Sequence, residues 1–185
     1  MAIIDYTYFQ RGIAAIPDID TVEVKAEVIH LINEHEPQLL QGIMGYPLWK
    51  VFDNDISSTT PTSRFADILN GTEYVGADGQ TYYWNGLKGR NNISLIADYV
   101  YFMYRRLKTT VYTSTGEVLL SSDVGKRTPS SQKMNEAWNR MADAVPLLWA
   151  LLNERKGSGG NFVYPEFLWQ NVDIRYYEPI NILGL

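Results

Sequence analysis

The chain has 185 residues, enough for one domain with a sizeable core, and its 45% hydrophobic and 20% charged content is that of a folded globular protein. It has no cysteine, which excludes disulfides, thiol nucleophiles and thiolate metal sites together. The net charge of -5 is uneven: residues 1–78 hold four basic and twelve acidic side chains, residues 79–133 eight and three. The acidic total argues against dedicated sequence-specific nucleic-acid binding, while the segregation suits contacts through opposite faces.

Residues 1–17 read as an extended arm. Ile3, Ile4, Tyr6, Tyr8 and Phe9 are too apolar to stay in water, and Gly12 and Pro17 oppose a long helix. The start lacks a basic stretch followed by an apolar one, so no signal peptide is expected. Asp20 opens a helix with Glu23 completing a capping-box pattern, and Val24, Val28, Leu31 and Ile32 form its buried stripe. Pro37 should end or bend that helix, leaving a second piece from Pro37 to Met44. Gly45 breaks it, Pro47 starts a short helix over Leu48 to Phe52, and a polar loop over residues 53–63 leads to another over Arg64 to Leu69. Residues 73–84 then read as a β-hairpin, with Gly76-Ala77-Asp78-Gly79 supplying the turn.

The stretch from Asn92 to Tyr112 is apolar nearly all round: Ile96, Val100, Met103, Leu107 and Val111 at helical spacing, with Tyr99, Tyr101, Phe102 and Tyr104 between them. Such a helix belongs at the centre of a bundle, capped by Asn91 or Asn92. Asp98 and the Arg105-Arg106 pair exclude a membrane span. A turn and an extended piece follow, and Thr128-Pro129 opens a long amphipathic helix. Its stripe is Met134, Trp138, Met141, Val145, Leu148 and Leu152, with a kink expected at Pro146. Residues 157–160 read as a flexible joint, and residues 161–185 as an aromatic, extended arm that docks either on its own domain or on a neighbour.

The fold expected is therefore mainly α: a helical bundle around a central aromatic helix, with one inserted β-hairpin and extended N- and C-terminal arms. Residues 1–160 form one domain and residues 161–185 the C-terminal arm.

Patterns that carry chemistry are sparse. His30 and His35, five residues apart on a helix, point about 140° from each other and cannot share a metal on one face. No nucleophile elbow or phosphate-binding loop is present, and the acids Asp53 and Asp55 lack the register of a calcium loop. Neither catalytic activity, metal nor cofactor is expected. Arg105, Arg106, Lys108, Lys126 and Arg127 form one cationic group. It suits phosphates of passing DNA, the acidic third of a neighbouring copy, or simply a helix C-terminus. Tyr82 and Trp84, on one face of the hairpin, suit a carbohydrate- or peptide-binding module together with the tail aromatics.

The order of these parts, above all Phe65 to Leu87 (FADILNGTEYVGADGQTYYWNGL) and the closing Pro179 to Leu185 (PINILGL), resembles the head–tail connector (adaptor) proteins of tailed bacteriophages. The likeness is to those of Bacteroides-type hosts, including the crAss-like group. The resemblance implies a structural virion protein made in the host cytoplasm. Its subunits form a closed ring, commonly of twelve copies, between portal and tail, and extend the DNA channel without reading sequence. The implied partners are further copies, the portal protein and neighbouring tail or adaptor proteins, with no membrane. The arms supply the expected contacts: Tyr6 and Phe9 at one end, Phe162, Tyr164, Phe167, Trp169, Tyr176 and Tyr177 at the other. On this reading, deleting residues 161–185 abolishes assembly and leaves the helices folded.

Overall fold

A computed structural model describes residues 2–58, 60–108, 110–113, 116–119, 130–157 and 159–180. Five helices follow in chain order: α1 (Val22–Met44), α2 (Tyr46–Ile56), α3 (Ser63–Asn70), α4 (Leu95–Lys108) and α5 (Ser130–Glu154). Between α3 and α4 lies the antiparallel hairpin of β1 (Thr72–Val75) and β2 (Thr81–Trp84), in register Thr72 to Trp84 and Val75 to Thr81. A second short antiparallel ladder, β3 (Thr110–Thr113) with β4 (Gly116–Leu119), follows α4. The mainly helical bundle with an inserted hairpin is as the periodicities predict.

The central helix packs against both α1 and α5. Its buried run, Leu95 to Phe102 with Tyr104, has nearly no solvent-facing side, which is why the sequence there is apolar all round. Its ends differ from expectation. Asn91 and Asn92 do not cap it; both take positive φ, 55° and 60°, in the loop before it. Ser94 caps instead, its Oγ accepting from the Ile96 N–H and donating to the Leu87 carbonyl. The helix stops at Lys108 rather than Tyr112. Thr109, Thr110 and Val111 are β-branched in succession and favour extended backbone.

Prolines interrupt less than expected. α1 runs unbroken through Pro37, so the two predicted pieces are one helix. A proline inside a helix costs about 3 kcal/mol. Here Leu39, Leu40, Ile43 and Met44 beyond it are all buried, and that burial outweighs the lost bond. α5 likewise continues through Pro146, between buried Val145 and Leu148. The start predicted for α5 at Thr128-Pro129 lies outside the described residues.

Both arms lie on the bundle. Ile4, Phe9, Ala14 and Ile16 of the first arm are core residues, as is Ile19 just after it. Hydrogen bonds close the chain around the predicted joint: Gly157 donates to the Asn161 carbonyl, Gly160 to that of Gly157, and Lys156 bridges to Phe162. The joint sends the chain back along its own helices. No helix among the described residues is long and apolar enough to cross a membrane.

Candidate interaction surfaces

The C-terminal arm is held by residues from four helices. Tyr164 is buried, its hydroxyl donating to the Arg64 carbonyl at 2.8 Å, while Arg64 grips Glu166 with two parallel bonds of 3.1 Å. Further on, the Asp173 N–H donates to the Gly42 carbonyl at 2.8 Å. Tyr176 lies edge-on to Tyr99 and stacks on Trp138. Trp138 Nε1 donates to the Glu178 carbonyl. Asn139 closes the fastening: its amide oxygen accepts from the Ile180 N–H and its amide nitrogen donates to the Ile180 carbonyl. Gly42 makes this docking feasible, because a Cβ there would sit well inside van der Waals contact with the Tyr176 ring. Sequence reasoning missed Gly42, which looks like an unremarkable helical glycine until the tail is placed beside it.

These contacts sort the predicted contact residues into two groups. Phe9, Tyr164 and Phe167 are buried in their own core, and Tyr6 and Tyr176 pack partly buried against it. Phe162, Trp169 and Tyr177 remain about half exposed, at 55%, 51% and 49%. Trp169 and Tyr177 flank the same buried residue, Trp149, with ring centroids at 5.1 and 5.9 Å. Trp149 is itself fixed by a 2.6 Å bond from its Nε1 to the Ile43 carbonyl. Deleting residues 161–185 therefore strips core side chains as well as surface ones, and does not isolate an assembly surface.

The first arm is anchored by a buried acid. Glu36 on α1 accepts from the Ile3 N–H at 2.8 Å and the Ile4 N–H at 3.4 Å. Burial pushes its carboxyl up to about 7, and those two N–H donors only partly oppose the shift. Nearby on α1, His35 is buried edge-on to Tyr99, whereas His30 forms an exposed 3.7 Å pair with Glu34.

The cationic group is only partly visible. Arg105, Arg106 and Lys108 lie in the last turn of α4, and Lys108 pairs at 2.8 Å with Glu27 of α1. One of its cations is thus matched by the chain's own acidic third. Lys126 and Arg127 lie outside the described residues. On the hairpin, Trp84 is buried with Nε1 bound to the Ile68 carbonyl, so Tyr82 and Trp84 do not make an exposed platform. No cluster of metal-ligating side chains occurs among the described residues.

Sequence reasoning also passed over a cavity of about 320 Å³, mainly apolar but with charged side chains in its lining, between the hairpin, the loop before α4, and α5. Asp98 and Arg140 line it, joined by a 3.0 Å ion pair. Asp98 is only 3% exposed, and burial lifts its carboxyl to about 7 against the opposing pull of Arg140. No family model, curated protein or solved structure matches the chain.

Proposed function

We propose that this chain is a structural subunit that assembles with copies of itself into the head–tail connector ring of a tailed phage, between portal and tail. The observation that carries this reading is the C-terminal arm. After burying Tyr164 and Phe167, it still presents Phe162, Leu168, Trp169, Ile174 and Tyr177, each between 42% and 59% exposed. Trp169 and Tyr177 lie against the same Trp149, and Trp and Tyr are the residues that most often dominate binding energy at contact surfaces. Trp169 and Tyr177 are moreover set on a rigid base, so little ordering is lost when a partner covers them. The sequence resemblance supplies the kind of assembly, and the uneven charge of the chain suits stacked copies.

A ring is built by heterologous contacts, so the surface that meets the tail patch lies elsewhere on the subunit. In this arrangement the basic end of α4 faces either the channel or the next ring. The role is one of scaffold rather than catalyst, and its place is the virion.

The direct test is to mix the purified chain with a preassembled portal ring and image the product by negative-stain microscopy. Added density as a closed ring on one end of the portal supports the reading. Unaltered portal rings, with the chain remaining apart at micromolar concentrations of both, would sink it.

A further inference from the structure

The Asp98 cavity serves no evident packing purpose. Asp98 lies within the buried run of α4, and a buried ion pair is commonly no more stable than apolar residues of the same volume. One carboxylate oxygen takes the Arg140 bond; the other, Oδ1, has no hydrogen-bond partner among the described residues. An unmatched buried oxygen is a cost to folding that a ligand donor can relieve. Around it the lining holds two guanidinium groups, Arg90 and Arg140, against this single carboxyl group, with the amides of Asn85 and Asn91 beside them. Leu95 and Leu147 add apolar wall.

The loop that shapes the cavity is fixed in place. Leu87 and Lys88 donate to the Ile68 and Leu69 carbonyls, Ser94 ties back to Leu87, and Arg90 donates to the Tyr83 hydroxyl at 2.6 Å. The site is thus preformed: a buried carboxyl group in its lining, an excess of positive charge, and an apolar side. Neither a simple cation nor a purely apolar ligand satisfies all three.

We propose that this cavity binds a small hydroxylated carboxylate of the sugar-acid class, its hydroxyl donating to Asp98, its carboxylate meeting Arg90 and Arg140, and its C–H face lying on Leu95 and Leu147. The same chemistry has two sources, a free sugar acid or a uronic residue within an acidic polysaccharide. The site stands apart from the tail patch, and the inference does not depend on ring formation.

The experiment is saturation-transfer NMR and calorimetry on the full chain with galacturonate and with tri-galacturonate. Galactose, which has hydroxyls without the charge, and propionate, which has the charge without hydroxyls, serve as controls. Binding of galacturonate identifies a free acid as sufficient; binding of the trimer alone identifies a polysaccharide residue, and either supports the proposal. Galactose and propionate should bind about tenfold more weakly or worse. Asp98→Asn and Arg90→Gln should each weaken binding by about tenfold or more, and Ala144→Phe, which sets a ring in the cavity lining, should abolish it. If Asp98→Asn fails to fold, the other two variants decide. Absence of binding by both uronates, or binding that survives Ala144→Phe in a folded protein, overturns the proposal.

Discussion

Gly42 shows how a single absent side chain decides where the tail lies. Its helix could accept alanine with a gain in propensity, yet a methyl group there collides with the ring of Tyr176. Gly42→Ala should therefore destabilise the protein by about 1–3 kcal/mol, the usual cost of overpacking. Hydrogen exchange would check the mechanism: protection should fall at Asp173 and Ile180, whose N–H groups bind Gly42 and Asn139, and stay unchanged in the middle of α4. Two buried acids make a second prediction at this scale. Asp98 and Glu36 have ordinary values of 3.8 and 4.5, and burial lifts both to about 7 in the folded chain. Between about pH 4 and 7 the folded state holds protons that the unfolded chain releases. Their contribution is thus fully present at the acidic end of that window and is lost as pH rises through about 7. Urea unfolding should accordingly show higher stability at pH 6 than at pH 8. The slope from these two groups is at most about 2.7 kcal/mol per pH unit, for two protons. Asp98→Asn with Glu36→Gln should flatten that slope; an unchanged slope would assign the protons elsewhere.

At the scale of elements, the helices were legible wherever apolar spacing was strong. The stripe from Met134 to Leu152 and the aromatic run of α4 both lie where periodicity puts them, and the hairpin follows from its Gly-Ala-Asp-Gly turn. What the sequence hid were effects of tertiary packing. Pro37 reads as a boundary because local backbone cost is all that a sequence displays; the burial of Leu39, Leu40, Ile43 and Met44 that overrides it is visible only once the bundle is assembled. The tail posed the same difficulty. Its aromatics call for a surface, but whether that surface is the chain's own depends on Asn139, Trp138 and Arg64, which carry no local signal for the role. Asp98 was legible only as a charge interrupting an apolar helix. Its pairing with Arg140, 42 positions away, needed the packing of α4 on α5.

For the whole molecule, the bundle buries a continuous core and leaves Trp169 and Tyr177 half in water beside Trp149. These two are the place where assembly can be broken without breaking the fold, since Tyr164 and Glu166 hold the arm to Arg64 and Asn139 holds Ile180 without them. The decisive measurement is mass by light scattering after size exclusion, on the native chain and on a variant carrying Trp169→Ser and Tyr177→Ser. The native chain should run as a high-mass ring. The variant should be a folded monomer with nearly unchanged circular dichroism, its association weakened by about 2 kcal/mol or more. A native chain that runs as a monomer at every concentration, or a variant that assembles as well as the native chain, would contradict assembly through the tail patch.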